Sequence, residues 1–290
     1  NGGTGFDRAY YDTSTAAVVV TLGGLGNGTS SDGFGGTDTL INIEEINGSA
    51  YNDTLTGSAD LSVYESFEGR AGNDAIDGKG GYTRASYDTS PAAISVNLLT
   101  GSAQDGWGGT DTLANITEVR GSAFNDIIVG DTTDNTVDGR NGDDTLDGDA
   151  GSDTLRYDSA AGNVIVNLAT GTATGAAGND TFTNFENIRG SNFADTLTGD
   201  AQNNAIRGQA GDDIIDGGAG ADTLLGGAGN DTLTGGTGND KFIIDSSSTD
   251  PHTYTITDFS PEEDILTVSN TKAIVNIIAL TSLDYSSGNI

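Results

Sequence analysis

A nine-residue period governs this chain. From Gly190 the sequence divides without remainder into GSNFADTLT, GDAQNNAIR, GQAGDDIID, GGAGADTLL, GGAGNDTLT and GGTGNDKFI, ending at Ile243. Gly opens every unit. The sixth position reads Asp195, Asn204, Asp213, Asp222, Asp231, Asp240, and the eighth is always large and apolar, from Leu197 to Phe242. Turn-forming residues followed by a three-residue strand make half a coil, so two units close one coil and units n and n+2 stack. The expected fold is all-β: a parallel β-roll or β-solenoid with two nonapeptides per coil. In it, Gly at positions 1, 2 and 4 is expected to take positive φ. Position 8 should point inward, and positions 7 and 9, Asp138 among them, should face solvent.

The period recurs upstream. GSAFNDIIV, GDTTDNTVD, GRNGDDTLD and GDAGSDTLR run from Gly121 to Arg156 and place Asp126, Asn135, Asp144 and Asp153 sixth. GSAYNDTLT and GRAGNDAID supply Asp53 and Asp74, while Ser62 and Thr83 break the pattern nearby. Longer stretches repeat as well: YDTSTAAVVVTL, YDTSPAAISVNL and YDSAAGNVIVNL begin at Tyr11, Tyr87 and Tyr157. Each starts a spacer holding a β-branched strand and one further nonapeptide, with Asp38, Asp111 or Asp180 sixth. The organisation read from this is a tail of an earlier block (1–10), super-repeats at 11–86, 87–156 and 157–243, and a terminal cap (244–290). Asn1 falls inside a repeat, so the chain is expected to be part of a longer protein.

Composition narrows the chemistry. There are 43 acidic against 11 basic side chains, a formal charge of −32, one His, no Cys and no Met. Thiolate catalysis, Cys-ligated zinc and multi-His metal sites are excluded, and no Glu is spaced for an EF-hand. No apolar run reaches a membrane span, and so negative a chain repels nucleic acid. Columns of Asp one strand spacing apart, about 4.8 Å, would repel one another unless a cation lay between them. Two carboxylates with turn carbonyls offer the six to eight oxygens that calcium prefers, whereas magnesium favours small hydrated octahedral sites.

GGAGADTLL and GGAGNDTLT resemble the GGxGxDxUx repeat of the RTX (repeats-in-toxin) proteins, which bacteria export through type I systems. The resemblance implies several calcium ions. It assigns as ligands Asp195, Asp213 and Asp231 on one face and Asp222 and Asp240 on the other, with Asp126, Asp144, Asp153, Asp53, Asp74, Asp38, Asp111 and Asp180 elsewhere. Turn backbone at Gly208, Ala210, Gly211, Gly217, Ala219, Gly220, Gly226, Ala228, Gly229, Gly235, Thr237 and Gly238 would complete the sites. Asn204 and Asn135 depart from the motif, so sites through them are expected to be weak or empty. Residues 254–269 resemble the segment that caps such rolls, and 271–290 occupies the place of a C-terminal secretion signal.

The remaining motifs are weaker. Asp-Pro-His at 250–252 matches a tripeptide of alginate epimerase active sites, without its surroundings. Phe34 and Trp107 share one turn position, where an aromatic ring could pack on a neighbouring coil or stack on sugar. No catalytic constellation stands out, so a non-enzymatic role is expected. The reading is a calcium-binding structural module of a secreted surface protein of adhesin, matrix or surface-layer type. The alternatives are the secretion and folding module of an extracellular enzyme, or a polysaccharide-binding solenoid. The expected partners are calcium, the type I secretion machinery, and a surface polysaccharide or another copy of the chain.

Overall fold

The computed structural model describes residues 1–245, 252–269 and 275–279. Two compact units are present: Asn1–Asp153 with Asp180–Asn184, and Thr154–Asn179 with Phe185–Ile290. The expected segments at 250–252 and 271–290 fall largely outside the described residues; of them, His252 opens a strand and 275–279 form one.

Parallel ladders build both units. In the second unit, Thr154–Arg156, Asn187–Arg189, Ala205–Ala210, Thr223–Ala228 and Lys241–Asp245 pair in order on one side. Thr196–Thr198, Ile214–Asp216 and Asp231–Thr234 pair on the other. Apart from the spacer strand Asn187–Arg189, each contains the end of a nonapeptide, including its eighth residue. Register stacks Leu197 on Ile215 on Leu233, and Ile188 on Ile206 on Leu224 on Phe242, all buried. Burying one such side chain contributes roughly 1.5–3 kcal/mol. A coil contributes only two, so stability grows by repetition along the stack.

The spacers depart from a purely parallel roll. In the second spacer, Ser95–Asn97, Ser102–Gln104 and Thr110–Ala114 form an antiparallel triplet. Its two outer strands pair parallel with Ile127–Val129 and Ala75–Asp77, so the sheet runs on through the spacer with one strand reversed. Val19–Thr21, Asn27–Ser31 and Thr37–Ile41 repeat the triplet in the first spacer. The cause lies in the connection: a two-to-five-residue turn joins antiparallel neighbours, whereas a parallel return needs a coil's worth of chain. The spacers therefore continue the solenoid as inserted hairpins rather than as beads.

Residues 254–269 add another coil rather than a separate lid. His252–Ile256 extends the ladder of Asp231–Thr234, and Ile265–Ser269 extends that of Lys241–Asp245. Asp258 accepts hydrogen bonds from the Gly235 and Gly236 N–H groups at 2.9 and 2.7 Å, closing the last turn of the array.

Outward positions are not uniformly wet. Asp138 is only 1 % exposed, contrary to expectation. It accepts the Arg140 N–H at 3.0 Å and pairs with Arg120 at 3.3 Å. Glu45, Glu68, Arg84 and Glu118 on the same outer face are buried too, through charge pairs such as Arg84 with Glu118 and through Glu68 accepting from Thr89. Phe34 is exposed, and Trp107 lies beneath the Arg70 guanidinium, 5.8 Å from its ring.

Candidate metal centre

Each position-6 side chain is placed by the backbone of the preceding coil. Asp213 Oδ1 accepts the Asp195 N–H at 2.8 Å, Asp231 Oδ1 that of Asp213 at 3.0 Å, and Asp240 Oδ1 that of Asp222 at 2.9 Å. Asp144 does the same for Asp126, Asp74 for Asp53, and Asp153 for Asn135. The spacer residues Asp180 and Asp111 take the N–H groups of Asp144 and Asp74. The columns read from the sequence thus run from Asp53 through Asp74 to Asp111 and from Asp126 through Asp144 to Asp180, while Asp53, Asp126 and Asp195 each accept the N–H of a spacer strand (Val18, Ile94 and Val164) and Asp38 lies exposed on an antiparallel hairpin.

The residue at position 2 decides what the second carboxylate oxygen meets. In GS turns the Ser N–H donates to it at 2.6 Å, and the Ser hydroxyl donates to the first oxygen at 2.7 Å, at Asp53, Asp126 and Asp195. Those carboxylates are closed by protein donors. Asn135 and Asn204 close in the same way, each Oδ1 accepting from position 2.

The other turns are open. Position 2 takes positive φ at Arg70, Arg140, Asp149, Gln209, Gly218, Gly227 and Gly236, between 67° and 112°, which turns its N–H away from the carboxylate. The Oδ2 atoms of Asp74, Asp144, Asp213 and Asp222 are then buried with no hydrogen-bond donor. Asp153, Asp231 and Asp240 stand in turns of the same backbone form. A buried carboxylate oxygen without a donor is costly, and non-glycine residues held at positive φ add strain. Both costs converge on the turns where a cation would remove the first.

Gly at position 1 serves a different need from the one expected, since it does not take positive φ. A side-chain carbon at Gly208 would lie 2.1 Å from Asp213 Oδ2 and 2.6 Å from the carbonyl oxygen of Gly226 in the next coil. At Gly217 the corresponding contacts are Asp222 Oδ2 at 2.4 Å and Gly235 O at 2.6 Å. Position 1 is glycine because oxygens of two coils crowd its α-carbon. Position 4 does take positive φ, as at Gly211, Gly220, Gly229 and Gly238, and packs directly on the preceding coil's carbonyls.

A hard divalent cation fits this donor set: oxygen only, anionic and glycine-lined. Among the described residues no cluster of three or more His, Cys, Asp or Glu side chains is arranged for a metal. Backbone carbonyls would therefore have to supply much of the coordination. The residues able to hold the ion are the open-turn Asp side chains with the carbonyls of their own and the adjoining turns. Bound calcium would supply positive charge to neutralise those carboxylates.

Two features escaped the sequence reading. Position 5 carries a second ladder of opposite sense: Asn125, Asp134, Asn203 and Asp212 each accept the N–H of the residue 18 positions later, at 2.8–3.0 Å. The frequent Asn-Asp pair at positions 5 and 6 was the available signal. Asp105, just before the second spacer's nonapeptide, is buried and accepts the N–H groups of Trp107, Gly108 and Gly109.

Burial raises several of the open carboxyls strongly. Asp74, Asp144 and Asp213 are pushed up to about 8, and Asp222 to about 6, chiefly by desolvation and further by neighbouring carboxylates. A carboxyl that titrates near 3.8 when unfolded and near 8 in the coil favours the coil below the lower value. That contribution is lost as pH rises through the higher one. Without calcium, then, β-structure should be greater near pH 5 than near pH 8.5 by circular dichroism. Calcium affinity should climb over the same interval as protons are displaced. A calcium-free signal that grew with pH would contradict this.

The comparison with known families agrees with the geometry. The family model described as the RTX calcium-binding nonapeptide repeat matches in four copies, at residues 42–60, 120–155, 189–224 and 216–243. Over those residues the chain carries repeats of the RTX calcium-binding nonapeptide family. It is a calcium-binding structural repeat module, of the kind typical of extracellular RTX proteins. No curated protein matches the chain. The RTX copies include open turns at Asp144, Asp213, Asp222, Asp231 and Asp240, and the closed turns at Asp53, Asp126 and Asp195.

Proposed function

We propose that this RTX module is a calcium-assembled spacer of a secreted bacterial surface protein, exported unfolded by a type I system and folded outside the cell. The observation that carries the reading is the set of buried, donor-less carboxylate oxygens at Asp74, Asp144, Asp213 and Asp222. They make the calcium-free coil unfavourable, so that ion binding becomes folding free energy. Extracellular calcium modules typically bind at roughly 10⁻⁴–10⁻³ M, above the free calcium of a cytosol and within reach outside it. The long super-repeat supports a spacer over an enzyme's accessory module, because added coils build length and no pocket.

The ligands we assign are the open-turn residues Asp74, Asp144, Asp153, Asp213, Asp222, Asp231 and Asp240. In this reading Asp53, Asp126 and Asp195 are structural caps, and Asp38 lies outside the sites. Calorimetric titration distinguishes the two classes: Asp213→Ala should lower the number of bound calcium ions, whereas Asp195→Ala should destabilise the fold and leave that number unchanged. Asp138, buried and ion-paired, is unsuitable as a solvent-facing control. Equal loss of sites in the Asp213 and Asp195 variants would refute the division into open and closed turns.

A further inference from the structure

In the unit of Thr154–Asn179 and Phe185–Ile290, every described Lys or Arg lies on the outer face of one sheet. Arg156, Arg189 and Arg207 occupy successive parallel strands in register, and Leu225 and Ile243 continue the row. Lys241 stands two residues away on the last of these strands. Arg156 is held by Asp158. Arg189 and Arg207 have no carboxylate partner among the described residues, although the chain holds 43 acids against 11 bases.

The first unit shows what this face does when its charges are structural. There Arg8 pairs with Glu45 at 3.0 Å, Arg84 with Glu118 at 3.6 Å and Arg120 with Asp138 at 3.3 Å. Like charges on adjacent rungs, about 4.8 Å apart, disfavour the fold unless an anion joins them. Arg189 and Arg207 also border a shallow groove of about 380 Å³, with Thr154 and Asn187 on one side and Leu225 and Ile243 on the other.

We propose that this groove binds a glycan chain whose sugars carry carboxylates, of the polyuronate type. The two guanidinia stand at neighbouring rungs, and each offers a forked donor pair suited to one carboxylate. Thr154 and Thr223 in the same lining suit sugar hydroxyls, and Leu225 and Ile243 suit the apolar faces of pyranose rings. Among the described residues the groove's lining has no aromatic ring on which a base could stack, which disfavours single-stranded nucleic acid. This deepens the surface-module reading by naming a partner class, and it requires the calcium-folded state.

The test is calorimetric titration of the calcium-loaded chain with tetragalacturonate, with circular dichroism on the same samples to register folding separately. Wild type should bind tetragalacturonate and ignore a neutral cellotetraose. Arg189→Gln with Arg207→Gln should weaken binding about tenfold or more at unchanged dichroism, while Lys79→Gln in the other unit should not. Absence of binding by the folded wild type would overturn the proposal. So would affinity unchanged in the double variant, the mark of a calcium bridge between acids, or equal competition by free acetate, the mark of a small-anion site. A sample that fails to fold in calcium fails the surface-module reading instead, visibly in the dichroism.

Discussion

Removing calcium should abolish most of the β-structure of this chain. The apolar column contributes one buried side chain per nonapeptide, while ordering the backbone costs about 1–2 kcal/mol per residue. Against that narrow margin stand buried, donor-less oxygens at Asp74, Asp144, Asp213 and Asp222 and a formal charge of −32. Calcium acts on both, because each ion satisfies oxygens of a turn and cancels two charges. The expected result is a cooperative gain of β-signal in circular dichroism as calcium is added near neutral pH. Excess chelator should reverse it, and magnesium should substitute poorly. A β-signal undiminished in chelator at pH 8 would reduce calcium to a surface ligand and defeat the folding account.

The second large effect is expected at a residue with no side chain. Gly208→Ala would set a methyl group 2.1 Å from Asp213 Oδ2 and 2.6 Å from Gly226 O. Neither neighbour can yield freely: Asp213 is tied through Oδ1 to the Asp195 N–H, and Gly226 belongs to the next coil's turn. The coils must separate or the carboxylate must swing out of its turn. The cost should be about 3 kcal/mol, at the upper end of overpacking effects, with one calcium site lost. Gly108 provides the contrast. Its φ of +104° makes Ala unfavourable there, but no atom stands within 4 Å, so the cost should be only about 1–2 kcal/mol with the ions retained. Urea midpoints at fixed calcium would compare the two. Equal midpoints would show that position 1 is glycine for backbone freedom after all.

The roll and its columns were legible because the period is strict: Leu197, Ile215 and Leu233 fall at one phase, and the structure stacks them in register. What the period hid was the state of each carboxylate. Asp195 and Asp213 hold the same motif position, yet one is capped and the other open. The difference lies at position 2, where Ser191 folds its N–H inward and Gln209 at φ 87° turns it away. A side chain chosen for its backbone angle leaves little trace in composition. The reversed strand Ser102–Gln104 was equally hard to see, because SAQ alternates like any short strand and only its pairing reveals its direction. Asp138 misled for the opposite reason. Its position faces outward, but the Arg120 guanidinium pairs with it and the Arg140 N–H donates to it.

The two opposed side-chain ladders have a mechanical consequence. Position 5 reaches forward to the next coil and position 6 reaches back to the previous one, so each junction is clasped from both sides. Tension along the stacking axis loads all the clasps of one junction together, and the junction resists as a unit until it gives way. A released 18-residue coil then pays out about 60 Å of chain, while its neighbours, held by their own clasps, stay wound. Under load the array would act as a row of shock absorbers, each rewinding where calcium is at hand, and its toughness would scale with the number of coils rather than with the strength of any one.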